Sequence, residues 1–264
     1  MSEAGFEAGE GERVAKLIAR AGLCSRRDAE RLVAERRVAV DGRVLDSPAL
    51  NVAPGQLVTV DGKPLPIPEQ TRLFRYHKPK GVVTTARDPE GRVTVDDTLP
   101  PGLPRLMPVG RLDLSSEGLL LLTNDGDLKR RLELPATGWL RRYRARVHGH
   151  PEEEPLRRRL AAGVTVDGVA YGPIEAKVDK FQGDNAWLSL GLREGRNREV
   201  RKALEHLGFV VGRLIRVAYG PFQLGNLEVR QIDEIKQKVL KEQLGGSAGM
   251  VPPPARAGAA RRGG

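Results

Sequence analysis

With 264 residues the chain has room for two domains and a sizeable core. Forty-four Lys and Arg against thirty-four Asp and Glu leave a net charge of +10, which favours a polyanionic partner. The single cysteine, Cys24, excludes an internal disulfide and a thiolate metal cluster. No apolar run reaches the length of a membrane span and the acidic, Gly-rich start has no signal-peptide pattern, so a cytoplasmic protein with no membrane partner is expected.

Residues 1–11 are expected to be disordered. From Glu12 the apolar positions Val14, Leu17, Ile18 and Ala21 recur at helical spacing, predicting a short helix that ends at Gly22. Ser25, with Asp28 three residues on, predicts the capped start of a second helix whose apolar face is Ala29, Leu32 and Val33. Arg20, Arg26, Arg27, Arg31, Arg36 and Arg37 crowd this pair. Asp41-Gly42 and Asp61-Gly62, each between alternating residues, predict two tight hairpins. Residues 12–64 carry ten Lys and Arg against seven Asp and Glu, and arginines near helix ends can grip phosphates. Three prolines within 64–71 make 65–72 a stiff linker.

A second domain is expected over 73–244. Residues 73–85 read as two strands broken at Pro79 and Gly81, and Leu119–Leu122 as a fully buried strand followed by the turn Asn124-Asp125-Gly126. Residues 127–134 form a basic helix ended by Pro135. Residues 139–150 read as a strand with one basic face, and 151–163 as a helix whose acidic start and basic end suit its dipole. Three strand-like runs (164–171, 174–181, 186–192), a basic loop entering a helix (193–209), another strand (210–222) and a strand end with a terminal helix (227–244) follow. Without strict βαβ alternation, an α+β domain with a mainly antiparallel mixed sheet flanked by helices is expected. Residues 245–264, rich in Gly, Pro, Ala and Arg, read as a disordered basic tail.

Most site chemistry is missing. His148 and His150 share a strand face but have no evident third ligand, and the position twelve on from Asn124, where a calcium loop needs Glu, is Pro135. No phosphate-binding glycine loop, dinucleotide fingerprint or serine-nucleophile elbow occurs, and Cys24 lies in the wrong domain for thiol catalysis. No metal and no cofactor are therefore expected. What stands out is Asp113, on a polar turn between apolar runs and beside Arg111. Taken alone, such an Asp reads more readily as a cap on a backbone N–H than as a catalytic acid.

The segment ERVAKLIARAGLCSRRDAERLVAERRVAVDGRVL resembles the small RNA-binding domain named after ribosomal protein S-four. YHKPKGVVTTARDPEGRVTVDDTL, GRLDLSSEGLLLLTNDGDL, LRRYRARVHG, REGRNREVRKALEHLG and LIRVAYGPF, in that order, resemble the motifs of the RsuA/RluB-type ribosomal RNA pseudouridine synthases over about residues 12–240. The resemblance implies an isomerase that breaks the N1–C1′ bond of a flipped uridine, turns the uracil and rejoins it through C5 without a cofactor. Asp113 would be its catalytic aspartate, attacking C1′ or taking the C2′ proton. Tyr143 would stack on the uracil, with proton movement at C5 as a further role, and Arg201 would be the active-site cation that keeps the carboxylate ionised. Arg111 would help extrude the uridine or fill its place. Lys78, Lys80, Arg196 and Arg198 are expected on phosphates, as are Arg20, Arg26, Arg27 and Arg31 in the first domain.

Family members commonly have Lys where this chain has Arg141, and often Thr where it has Ser115 and Ser116. The tail and layout resemble RluB-type more than RsuA-type members, which implies large-subunit 23S rRNA, or its precursor particle, as the partner; a monomer is expected. A small-subunit 16S target and a non-catalytic ribosome-assembly factor stay open. A metal-dependent phosphate-ester hydrolase lacks its acidic cluster.

Overall fold

The computed structural model describes residues 11–86, 88–134 and 138–245. The expected disorder of residues 1–10 and 246–264, and the helix stop at Pro135, lie outside the described residues. The described residues divide into two compact units, one built from those up to Thr71 with Asn124–Gly126, the other from Arg72–Thr123 and the described residues from Asp127 onward.

In the first unit, β1 (Glu12–Arg13) runs into α1 (Val14–Arg20), and Gly22 at φ 82° ends that turn. α2 (Arg26–Ala34) begins at Ser25, whose hydroxyl accepts the Asp28 N–H at 3.1 Å, the cap read from the sequence. Then come β2 (Val38–Val40), β3 (Arg43–Val44), β4 (Asn51–Val52), β5 (Val58–Val60) and β6 (Lys63–Pro64). Asp41-Gly42 and Asp61-Gly62 both take positive φ and close two-residue hairpins, as expected. β3-β2-β5-β6 form one sheet, and its inward valines pack on Val14, Ile18, Ala29 and Val33, with Cys24 partly buried at the edge.

The second unit contains β7 (Leu73–Lys78), β8 (Met107–Val109), β9 (Glu117–Thr123), α3 (Gly126–Glu133), β10 (Arg141–His148) and α4 (Glu153–Ala161). After these come β11 (Val164–Val166), β12 (Val169–Tyr171), β13 (Glu175–Gln182), β14 (Asn185–Leu192), α5 (Glu199–His206), β15 (Val211–Tyr219), β16 (Phe222–Gln223), β17 (Ile232–Glu234) and α6 (Gln237–Leu244). Its sheet runs β13-β14-β10-β15-β9-β7-β17, with β16 on β15 and β8 on β9. Every pairing is antiparallel except β15 with β9, where Ile215 faces Glu117 and Arg216 faces Gly118. The fold is α+β, as expected.

All seven residues of β9 are buried, which explains its continuous apolar run: elements cover both faces. β10 instead alternates. Ala145 and Val147 pack with Tyr143 against Leu156 and Leu160 of α4 and Val200, Ala203 and Leu204 of α5, while Arg142, Arg146 and His148 are exposed. Two expectations are corrected. Residues 79–86 form no second strand: Pro79 lacks an N–H, Gly81 turns at φ 85°, and only an isolated bridge joins Val83 to Thr94. Residues 164–171 are not one strand but a separate hairpin, turned at Asp167-Gly168 by the same positive-φ pair seen in the first unit.

Candidate active site

Asp113 sits in the loop between β8 and β9, half-buried, with Gly110 (φ 67°) starting the turn and donating its N–H to Glu133 Oε1 at 2.6 Å. Five consecutive carbonyls of this loop each have a donor. Thr84 Oγ1 donates to Leu112 O at 2.8 Å, and Gly81 N–H to Leu114 O at 2.8 Å. Lys78 Nζ donates to Asp113 O at 3.2 Å and to Ser116 O at 2.9 Å, as well as to Pro79 O at 3.1 Å. Arg201 Nη2 donates to Ser115 O at 3.0 Å, and its Nη1 holds Val211 O on β15 at 2.7 Å. With its backbone pinned this way, the segment gives Asp113 a rigid support at a pocket of about 350 Å³ lined by Lys80, Gly81, Asp113, Leu114, Ser115 and Arg198.

Lys78 is 0% exposed, so its assignment to phosphate contact is corrected: its ammonium is spent on three carbonyls inside the protein. Burial pushes its pKa down to about 8, against the pull of Asp113 and Glu117 and with help from Arg216. Burial also lowers Arg201, reinforced by Arg198 and opposed by Asp113. Both cations therefore feel the Asp113 charge. The folded lysine loses its proton near pH 8 and the unfolded one near 10.5, so the unfolded chain holds more protons within that window. The unfolding free energy of the wild type relative to Lys78→Met is expected to rise as pH goes from about 8 to 10.5, in urea melts of both proteins. A flat difference would contradict the buried, carbonyl-bound ammonium.

The other expected site residues divide. Arg198, exposed and in the left-handed conformation (φ 52°) at the start of α5, reaches the pocket, as does Lys80. Arg196 is exposed but already bonds Ala170 O at 2.8 Å and pairs with Glu194 at 3.1 Å. Arg111 is exposed and does not line the pocket. Tyr143 is also outside the lining. It is half-buried between the α4–α5 cluster and the cluster containing Leu112, opposite Arg216 across the β10–β15 pair. In the first unit Arg26, Arg27 and Arg31 are exposed; Arg20 is half-buried and paired with Glu12 at 2.7 Å. A larger cavity there, about 620 Å³, is mainly apolar and holds no convergent set of titratable groups beyond that pair.

Sequence reasoning missed Arg216. It is 2% exposed, its Nε donates to Leu119 O at 2.7 Å, and its guanidinium lies 5.2 Å from the Tyr219 ring centre. Its signal was the period-two pattern of β15, which sets Arg216 on the buried side with Leu214 and Ala218. Gly118 is a close-approach site, since a Cβ there would lie 2.3 Å from Arg216 O.

The model of the RNA pseudouridylate synthase family matches residues 72–206, and the S4 domain model matches residues 12–58. An uncharacterised RNA pseudouridine synthase of Rickettsia bellii is 45% identical over 230 residues, covering 87% of this chain and 99% of the relative. Ribosomal large subunit pseudouridine synthase B of Salmonella typhi is 42% identical over 223 residues, covering 81% of this chain and 75% of the relative. A solved pseudouridylate synthase structure superposes with a TM-score of 0.63 at 25% identity, covering 89% of this chain and 100% of that one. The pinned aspartate loop thus lies within a matched family domain, and the chain belongs to the RNA pseudouridine synthases of RsuA/RluB type, isomerases that convert uridine to pseudouridine.

Proposed function

We propose that the protein isomerises a specific uridine of large-subunit ribosomal RNA, with Asp113 as the catalytic carboxylate. The observation that carries this is the backbone of residues 112–116, whose carbonyls are all held beside a pocket that Asp113 lines together with Lys80 and Arg198. A uridine stacked in a helix hides its glycosidic bond, so the nucleotide must flip into the pocket. Lys80 and Arg198 receive its phosphates. Asp113 then acts at the ribose, by attack at C1′ or removal of the C2′ proton, and the N1–C1′ bond breaks. The uracil turns and C5 bonds to C1′, while the Asp113–C1′ bond breaks or, on the second route, Asp113 returns the proton to C2′; the C5 proton then leaves and N1 gains one. Atoms balance within the substrate, so no cofactor is required.

Tyr143 offers an aromatic face to the ring that turns. Tyr143→Ala is expected to lower kcat/KM by about 10- to 100-fold, the order of one lost base stack, in single-turnover assays on rRNA. An unchanged value would remove Tyr143 from the site. Arg26, Arg27 and Arg31 hold rRNA through phosphates; the surface ion pairs of Arg26 at 3.7 Å and Arg31 at 3.1 Å are weak enough to exchange. The large-subunit target is supported by the names of relatives 42% identical to this chain.

The test is conversion of unmodified large- and small-subunit rRNA by the purified protein, without metal or nucleotide, mapped by carbodiimide modification and primer extension. One new stop in large-subunit RNA is expected. A stop only in small-subunit RNA would overturn the target, and none in either would overturn the function.

A further inference from the structure

The basic face of β10 has no part in the chemistry above. Strand alternation sends Tyr143, Ala145 and Val147 toward α4 and α5, and Arg142, Arg144 and Arg146 to the opposite side of the sheet. On that outer side Arg144 lies beside Ser189 and Arg146 beside Trp187 of β14, and these stand beside Lys177 and Lys180 of β13. The Arg144 guanidinium sits 4.9 Å from the Trp187 ring centre, a cation–π contact that holds it in place. Gly212 on the neighbouring strand leaves room for the Arg146 guanidinium, whose Nη2 would lie 3.8 Å from a Cβ there.

The acids on this face are too few to neutralise it. Glu175 and Asp179 are present, Asp179 accepting from Ser189 Oγ at 2.9 Å and standing 3.7 Å from Arg144. Glu117 is already held by Arg213 at 2.5 Å. Among the described residues, no ion pair is formed by Arg142, Arg146, Lys177 or Lys180. All four are exposed. Cations that share one rigid sheet face, around an aromatic, match a phosphate backbone in charge.

We propose that the outer face of β10, β14 and β13 is a second RNA-binding surface, which holds a segment of the substrate RNA remote from the target uridine. It rests on the reading of the substrate as a large structured RNA. Because β10 carries Tyr143 on its other side, RNA bound here must wrap around the edge of the sheet or belong to a neighbouring helix. The surface therefore contributes affinity for long RNA and nothing to a short stem-loop that fills only the pocket.

The experiment compares wild type with the fourfold variant Arg142→Gln, Arg146→Gln, Lys177→Gln and Lys180→Gln. Affinity for full-length rRNA is expected to fall by about tenfold or more near physiological salt. The slope of log affinity against log salt should flatten by about 0.7–0.9 for each phosphate that the variant no longer neutralises. The rate on a saturating short stem-loop should stay unchanged, which also shows that the variant is folded. Crosslinking of 4-thiouridine-substituted rRNA to the wild type should tag peptides from 141–148 and 175–187. Unchanged affinity and slope, or no crosslink to those peptides, overturns the proposal, and so does an acidic protein captured there that leaves the slope unaltered. If the wild type converts rRNA and the variant binds as tightly, this inference fails alone. If the wild type converts no rRNA, the proposed function fails with it.

Discussion

Asp113→Asn is expected to bind rRNA within a few-fold of wild type and to form no detectable pseudouridine. The change keeps size and polarity and touches none of the backbone bonds that hold the loop. Lys78 and Arg201 grip carbonyls and not the carboxylate, so their hydrogen bonds to Asp113, Ser115 and Ser116 survive the substitution. What disappears is the negative charge, and with it the basic, nucleophilic oxygen that either chemical route needs. A catalytic group of this kind is worth several orders of magnitude in rate. Binding by filter retention and conversion by carbodiimide mapping, on one preparation, separate the two effects. Undiminished conversion would sink the role of Asp113.

Gly118→Ala is expected to be the most damaging single change to the fold. A Cβ there would lie 2.3 Å from Arg216 O and 2.7 Å from Arg216 N, and both obstacles are backbone atoms. The φ of 105° adds strain for any L side chain. Gly118 and Arg216 form half of the two-residue parallel pairing between β9 and β15, by which the β13-β14-β10-β15 strands are hydrogen-bonded to the rest of the sheet. Separating these strands would also draw Arg201, which bonds Val211 O of β15, away from Ser115 O. A cost above about 4 kcal/mol is expected, seen as a fall in Tm of roughly 10 °C or more. Gly110→Ala is the control: its φ is also positive, at 67°, but a Cβ there has open space. It should cost only about 1–2 kcal/mol. Equal melting of the two variants would refute the close-approach argument.

Much of the local structure was legible because local chemistry decides it. Ser25 caps α2, Asp-Gly pairs turn the hairpins, and a run of leucines without alternation can be stable only as a strand covered on both faces. The ordered motifs that single out Asp113, Tyr143 and Arg201 are likewise properties of the chain read in line. Three features were not legible, each depending on distant partners. A lysine beside a proline looks like a surface cation until β7 and the 110–116 loop enclose it, and only then does its ammonium meet three carbonyls instead of a phosphate. Nothing near Gly118 in the sequence shows that Arg216, almost a hundred residues later, is laid against it. Arg111 neighbours Asp113 in sequence yet faces solvent outside its pocket. Most of the elements and the fold class could be read along the chain, since caps, turns and periodicity act within a few residues. Which cations hold the Asp113 loop, and which remain free for RNA, followed only from packing, because burial and hydrogen-bond supply belong to the assembled site and not to any one segment.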